Sequence, residues 1–259
     1  MNSIRRHELK KFLEEKYFQY HSPDFIESDP ISIPHLFSKK EDIEISGFLT
    51  STISWGQRPV ILKNARELIR RMDHAPFDFI KSFSSKEAGV FQNYVHRTFQ
   101  TVDCLYFLQA LQQIYLNHDG LERLFHNSLQ EKSASMAEAI NTVRRIFFSW
   151  PHPKRSEKHF SDPVTGAFAK RINMFLRWMV RKDVSGVDFG LWRSIPPSKL
   201  HCPLDVHSGR VARRLGILSR TQNDWKAVVE LTDSLRQFDP DDPVKYDFAL
   251  FGLGVFERF

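Results

Sequence analysis

The sequence predicts an all-α protein, and three observations support this fold class. Glycine is scarce, at 11 of 259 residues. Few stretches alternate apolar and polar residues as half-buried strands do, and apolar residues instead recur at helical spacing through most of the chain. Hydrophobic residues make up 41% and charged residues 26%, which is typical of a globular protein. The length suits one large domain or two lobes that share a core.

The first 150 residues are predicted to form a succession of amphipathic helices. Helical spacing occurs in segments 6–20, 35–53, 60–72, 77–83, 102–116, 121–129 and 134–150. The polar stretch Ser51 to Pro59 predicts a turn between the second and third of them, whose tip presents Trp55, Gln57 and Arg58. Such a tip can reach a ligand, but the local sequence alone favours a polar loop with a buried tryptophan.

A basic helix is predicted at 166–182, after a loop at 151–165. Four apolar residues of this helix share a face that we expect to be buried: Phe168, Ile172, Phe175 and Met179. Another face carries Lys170, Asn173, Arg177 and Arg181. This basic face is suited to phosphates. The alternative is a solvated helix face, which is how most charge runs are explained.

Asp205 stands alone as an acidic residue before the next predicted helix. It is well placed to cap residues 206–215, with Gly216 as the stop. Helices at 225–238 and from residue 242 to the C-terminus complete the chain. We predict that Lys170 and Asp205 meet in space as the working pair of a site. Without further information, a plain N-cap and a solvated lysine are the favoured interpretations of these two residues.

The net charge of +6 is unevenly distributed. Residues 166–220 contain eleven Lys/Arg and three Asp/Glu, whereas residues 221–259 contain four Lys/Arg and eight Asp/Glu. A positive field concentrated in one stretch is the footprint expected of a polyanion site.

Several classes of protein are disfavoured. No apolar run is long enough to span a membrane, and the first residues lack the apolar stretch of a signal peptide. Cys104 and Cys202 are the only cysteines, too few for a four-cysteine zinc or iron–sulfur site. We therefore expect a cytoplasmic protein without an iron–sulfur cluster or other cofactor, and the resemblance described next implies that it is nucleoid-associated.

Two motifs resemble those of the helix-hairpin-helix (HhH-GPD) base-excision DNA glycosylases. Pro203-Leu-Asp205-Val-His207-x-x-Arg210-Val-Ala-x-Arg214-Leu-Gly216 is similar to the aspartate segment of that superfamily, and Gly166-Ala-Phe-Ala-Lys170-Arg-Ile-Asn173 is similar to its hairpin signature. More weakly, 48–57 resembles the segment before a gap-filling residue, and 248–254 resembles the closing helix. The resemblance covers most of the chain from about residue 45 onward.

Three departures from the superfamily pattern point to one of its branches. Phe168 replaces the second hairpin glycine, Lys170 and Asp205 are 35 residues apart, and the cluster cysteines are missing. These features resemble the archaeal 8-oxoguanine DNA glycosylase-like branch.

The resemblance implies two helical lobes with the active-site cleft between them. Lobe 1 would span about 45–165, and lobe 2 would join 1–44 to 166–259. The implied partner is double-stranded DNA with a damaged base, bound by a monomer. The implied catalytic residues are Lys170 and Asp205, and the implied DNA contacts are Trp55, Gln57, Arg58, Arg171, Asn173, Arg177, His207 and Arg210.

The resemblance also implies a role for each central residue. A flipped base leaves a gap in the stack, which Gln57 would fill. Asp205, kept ionised as an N-cap, would stabilise an oxocarbenium-like transition state. Lys170 would attack the sugar carbon and form a Schiff base, which permits strand cleavage.

The sequence also allows alternative roles for several residues. Lys182 is a rival nucleophile, and His207 is favoured as a structural residue. A metal site at His201, Cys202 and His207 is weakly indicated, and Asp239, Asp241 and Asp242 fit a loop and cap better than a cation site. A non-catalytic DNA-binding protein on the same scaffold and a helical interaction protein are the competing functions. The sequence does not name the lesion.

Overall fold

The computed structural model describes residues 3–84, 86–130 and 135–259, and these residues are mostly helical. This confirms the all-α class at the level of secondary structure. Within them lie two short strands, six short 3₁₀ helices and twelve α-helices. The α-helices are α1 Ser3–Tyr20, α2 Asp24–Ser28, α3 Lys40–Thr52, α4 Arg58–Arg71, α5 Pro76–Ser82, α6 Thr101–Asn117, α7 Gly120–Ser128, α8 Met136–Phe147, α9 Lys170–Val180, α10 Val206–Leu215, α11 Trp225–Arg236 and α12 Tyr246–Val255. None of the described helices is long and apolar enough to cross a membrane.

The chain divides into two compact units. The terminal unit comprises Met1–Glu27 and Pro163–Phe259, and the central unit comprises Ser28–Asp162. Residues 28–44 therefore belong with the central unit, whereas the predicted lobes had placed them with the chain ends. The physical reason is burial: Ile31 and Ile33 are fully buried, and the 3₁₀ helices around them pack on α3 and α4.

The core of the central unit is built on phenylalanine. The rings of Phe107 and Phe147 lie 4.8 Å apart between centroids, and those of Phe48 and Phe147 lie 5.6 Å apart. These residues come from α6, α8 and α3, and each is at most 2% exposed. These aromatic residues of the predicted amphipathic helices therefore form the core, and burial of each such ring contributes roughly 1.5–3 kcal/mol.

The central unit also contains a β-hairpin where helical structure was predicted. Strand β1, Val95–His96, pairs antiparallel with β2, Phe99–Gln100. His96 and Phe99 are buried whereas Val95 and Gln100 are exposed, so burial alternates between neighbouring residues as in a strand. Two residues per strand are too few to stand out in a search for hydrophobic periodicity.

The terminal unit is organised around α12. Helices α1 and α10 both pack against it, and Leu13 of α1 and Phe248 of α12 are fully buried. Gly254 of α12 comes so close to α10 that an added Cβ would lie 3.0 Å from Cβ of His207. The last helix thus holds α10 in place, and the N-terminal helix packs against the last helix.

Candidate active site

Asp205 is the N-cap of α10, as the sequence predicted. Its Oδ1 accepts hydrogen bonds from the backbone nitrogens of His207 at 2.8 Å and Ser208 at 2.9 Å, while Ser208 Oγ accepts from Asp205 N at 2.9 Å. This reciprocal capping box satisfies the free N–H groups that begin a helix. The helix ends at Gly216, whose φ of 73° lies in the left-handed region that favours glycine.

Helix α9 begins four residues later than predicted. It starts at Lys170 and not at Gly166, because Ala169 adopts a left-handed backbone with φ of 47° and residues 163–166 form a turn. Phe168, predicted to be buried, is 39% exposed, since it precedes the helix. The predicted buried face is correct from Ile172 onward. Lys170 thus stands at the first helical position of α9.

The structure brings Lys170 and Asp205 together. Lys170 Nζ lies 2.7 Å from Asp205 Oδ2, and the side chains are 29% and 17% exposed. One residue begins α9 and the other caps α10, so two helix starts converge on one ion pair. The pair is accessible to solvent but sheltered enough for its charges to interact strongly. That it performs catalysis stays a prediction.

The surroundings of Asp205 keep its carboxylate ionised. Burial would raise the pKa of Asp205, but the Lys170 ammonium and the backbone N–H groups of α10 together lower it below its ordinary value. Asp247 of α12 interacts electrostatically with both Lys170 and Asp205. Burial raises the pKa of Asp247 to about 6, although the nearby Arg177 and Lys170 oppose this shift.

Two arginines of the predicted basic face are buried in ion pairs. Arg177 donates to Asp188 at 3.3 Å and also to Asp247. Arg181 contacts Asp183 and Asp188 at 3.1 Å and Asp242 at 2.8 Å. The two arginine side chains are at most 4% exposed. The predicted phosphate contact is therefore wrong for both arginines, because their guanidinium groups are enclosed by carboxylates of the same unit.

The two other residues of α9 that were predicted to contact DNA, Asn173 and Arg171, are also wholly or partly buried. Asn173 is 1% exposed, and its amide oxygen and nitrogen have no hydrogen-bond partner within the described part of the chain. A direct DNA contact is thus wrong for Asn173. Arg171 is half-buried, and burial lowers the pKa of its guanidinium to about 10. Its contact with DNA stays a prediction.

His207 and Arg210 lie on exposed positions of α10. His207 follows the cap directly, next to the lysine–aspartate pair in sequence. Arg210 donates to the carbonyl oxygens of Gly254 at 3.0 Å and Phe259 at 3.2 Å, so it ties α10 to the end of α12. A contact with DNA by either residue stays a prediction, and Arg210 has a structural role in addition.

The predicted tip belongs to the central unit, at the start of α4. Gln57 is the exposed N-cap residue of α4, and Arg58 is half-buried. Trp55 is also half-buried: its ring meets that of His96 edge-on, with centroids 4.9 Å apart, and stacks on that of His159 at 5.7 Å. The tip is thus a loop held by tryptophan packing, with Gln57 left exposed. The packed tryptophan fits the interpretation as a polar loop, and the exposed Gln57 fits the interpretation as a tip that can reach a ligand.

The structure bears on three alternatives that the sequence left open: a rival nucleophile, an aspartate cluster and a metal site. Lys170, and not the exposed Lys182, contacts Asp205. Asp239 accepts from the backbone nitrogens of Asp241 and Asp242, at 3.1 and 2.9 Å, which confirms a loop-and-cap role. No group of three or more His, Cys, Asp or Glu residues among 3–84, 86–130 and 135–259 is arranged to hold a metal ion.

The fold and the site define a mostly helical protein with a lysine–aspartate pair at the start of two helices. Residues 29–256 match the family model described as "Protein of unknown function (DUF2400)", and the chain belongs to this family. No curated protein and no solved structure matches the chain.

Proposed function

We propose that this protein is a DNA base-excision glycosylase with AP lyase activity, with Lys170 as nucleophile and Asp205 as the electrostatic partner. The observation that carries the proposal is the 2.7 Å contact between Lys170 Nζ and Asp205 Oδ2, which joins the two motifs that resemble the HhH-GPD superfamily. These two residues are 35 positions apart in the sequence, and each lies in one of the two motifs. In this proposal the two units correspond to the two lobes of such an enzyme.

Asp205 would act on the charge that develops in the reaction. Cleavage of the bond between a base and deoxyribose passes through an oxocarbenium-like transition state, which a fixed carboxylate stabilises. Asp205 suits this task because its Oδ1 is anchored by two backbone N–H groups and its pKa is lowered by its surroundings. It therefore remains negative at neutral pH without rearrangement.

Lys170 would form the covalent intermediate. Its ammonium gives one proton to the departing base, and the amine forms a bond to C1′ as the C1′–N bond breaks. A second proton moves from Nζ to O4′ when the sugar ring opens, which leaves a protonated imine between Nζ and C1′. β-Elimination then breaks the bond to the 3′ phosphate. Solvent exposure of 29% leaves the amine accessible for this attack.

The rest of the proposed DNA contact draws on the central unit. A base that is removed from the stack leaves a space in the duplex. Gln57 is exposed at the start of α4 and carries an amide that can hydrogen-bond an orphaned base, so it is the proposed gap-filler. An oxidised purine is the first lesion to test, because the departures from the superfamily pattern resemble the 8-oxoguanine branch.

Single-turnover assays with borohydride trapping test the proposal. Duplexes carrying 8-oxoguanine, uracil or an abasic site are incubated with the wild type and with Lys170→Gln, Asp205→Asn and Lys182→Gln variants. We expect a trapped adduct with the wild type and Lys182→Gln, none with Lys170→Gln, and base release slowed by at least about 100-fold in Asp205→Asn. If no duplex gives an adduct or loses its base, the enzymatic proposal is wrong.

A non-catalytic DNA-binding protein is the second candidate, and one observation favours it. Lys170 is already held by a short ion pair, which is how a purely structural lysine is also arranged. This candidate predicts salt-sensitive binding to damaged DNA that survives Asp205→Asn, with no base release by any variant. The same assays, with a binding measurement added, therefore separate the two functions.

A further inference from the structure

The hairpin of the central unit presents an arginine at its turn. In the register Val95 faces Gln100 and His96 faces Phe99, so Arg97 and Thr98 form the two-residue loop. Both loop residues are exposed. Arg97 has a φ of 54°, in the left-handed region where glycine, asparagine or aspartate is the usual residue of such a turn.

A strained backbone at an exposed arginine calls for an explanation. A non-glycine residue in this region is less stable than glycine, and such strain is concentrated at functional sites. The Arg97 guanidinium forms no hydrogen bond or ion pair with any residue that the structure describes. No polar contact with the described residues therefore requires an arginine there.

Arg97 lies beside the tip that carries Gln57. A Cβ built on the neighbouring Gly56 would be 3.1 Å from both Cδ and Nη1 of Arg97, so the arginine side chain lies along the backbone of Gly56. Gly56 itself has a φ of 105°, a conformation that only glycine adopts readily. The guanidinium thus lies beside Gly56, which directly precedes the exposed Gln57 in the tip.

A buried histidine fixes the hairpin to the tip. His96 is 1% exposed; its Nδ1 accepts from Asn64 Nδ2 at 2.9 Å, and its Nε2 donates to the carbonyl oxygen of Trp55 at 3.1 Å. These proton positions follow from the amide nitrogen, which can only donate. Since Asn64 belongs to α4, the hairpin, the tip and α4 form one rigid arrangement that holds Arg97 and Gln57 at a set spacing.

The two chain segments that form this arrangement carry charge of one sign. Residues 53–66 and 93–100 contain four cationic side chains and no carboxylate; the cations are Arg58, Lys63, Arg66 and Arg97. Of these, Lys63, Arg66 and Arg97 are exposed. Such a surface attracts a polyanion, and an arginine beside the base of the tip is placed to meet a phosphate that flanks whatever Gln57 enters.

From this geometry we infer that the hairpin is a second DNA-contacting element, in which Arg97 binds a backbone phosphate next to the gap that Gln57 fills. This inference rests on the proposed function, because it takes duplex DNA as the ligand. It gives the two residues different tasks. Gln57 prefers duplexes with a missing or displaced base, whereas Arg97 holds any duplex through a charge that carries no sequence information.

Fluorescence anisotropy with a short duplex containing a tetrahydrofuran abasic analogue, and with the same duplex undamaged, tests this division. We expect Arg97→Ala to weaken binding to both duplexes about tenfold and to reduce the slope of log affinity against log salt by about 1. Arg97→Lys should restore part of the affinity. Gln57→Ala should mainly reduce the preference for the abasic duplex. Arg123→Ala, which removes an exposed arginine of α7 in the same unit, is the matched control and should bind like the wild type.

Arg97→Gly separates a lost contact from lost structure. Glycine suits the φ of 54°, so the variant should melt no lower than the wild type while losing affinity as Arg97→Ala does. If Arg97→Ala and Arg97→Gly bind both duplexes like Arg123→Ala, the inference is wrong while the proposed function stands. If the loss is confined to one base opposite the lesion, Arg97 reads a base and the phosphate contact is wrong. If the wild type binds neither duplex, the proposed function itself fails.

Discussion

The two carboxylate oxygens of Asp205 serve different partners. Oδ1 accepts from the backbone nitrogens of His207 and Ser208 and so caps α10, whereas Oδ2 accepts from Lys170 Nζ. The cap fixes the carboxylate in the orientation that the ion pair uses. At the scale of the residue, stability and proposed chemistry therefore meet in one side chain, and substitutions can separate them.

Asp205→Ala should lower the free energy of unfolding by about 1–2 kcal/mol, because the variant loses its N-cap. Asp205→Asn keeps a cap acceptor and should lose less than Asp205→Ala, although the Lys170 ammonium is then left without its partner. Ser208→Ala removes the other half of the capping box and serves as the control that retains the carboxylate. Urea denaturation measures all three. Equal stability of Asp205→Ala and the wild type would show that the cap contributes nothing.

Among the elements, the sequence predicts those ends that a characteristic residue marks, but it predicts neither unmarked ends nor partners that lie far away in the chain. Both ends of helix α10 were predicted correctly, since an aspartate marks its N-cap and a glycine, Gly216, marks its C-terminal end. The start of α9 was not predicted, because an alanine gives no sign in the sequence that its backbone is left-handed, as that of Ala169 is. Arg177 was assigned to DNA because its partner Asp247 lies 70 residues away. The excess of acids in 221–259 was the signal that could have revealed this partner.

Asp247 should make the stability of the protein depend on pH between about 4 and 6. Burial raises the pKa of Asp247 to about 6, above the value of 3.8 that is usual for the unfolded chain. The folded state then binds the proton more tightly, and the contribution of this group to stability falls as the pH rises through that window. The free energy of unfolding of Asp247→Asn, measured relative to that of the wild type, should therefore rise by about 1–3 kcal/mol between pH 4 and pH 7.

Denaturant titrations at several pH values measure this difference. Asp241→Asn is the matched control, because Asp241 is an exposed aspartate of the same unit. It should follow the wild-type curve throughout. A constant offset between Asp247→Asn and the wild type over the whole range would show that Asp247 does not take up a proton in this window.

At the scale of the whole molecule, the central unit is a continuous segment inserted between the two parts of the terminal unit. The sequence predicts two helical parts, but its first boundary, at about residue 45, differs from the observed start of the central unit at Ser28, because the short 3₁₀ helices at Pro30–Ser32 and Pro34–Leu36 give no sequence signal of the unit on which they pack. What assigns residues 28–44 is the burial of Ile31 and Ile33, which only the packed structure reveals. The continuous central unit has a core of its own and should fold alone.

A fragment spanning residues 28–162 should show a helical circular dichroism spectrum and a cooperative thermal transition. The control is a fragment with the predicted boundaries, 45–165, which lacks Ile31, Ile33 and Ile43. Burial of these side chains contributes roughly 1.5–3 kcal/mol each, which is comparable with the whole stability of a small domain. The loss of residues 28–44 should therefore unfold the 45–165 fragment or broaden its thermal transition. Similar transitions for both fragments would show that residues 28–44 are not part of the unit's core.

The central claim is that Lys170 forms a covalent bond with DNA, and mapping of the borohydride-trapped adduct tests it most directly. The wild type is trapped on an abasic duplex and digested, and the modified peptide is identified by mass spectrometry. We expect the adduct on Lys170, and its loss in Lys170→Gln but not in Lys182→Gln. An adduct on Lys182 or spread over many surface lysines, with Lys170 unmodified, would contradict it.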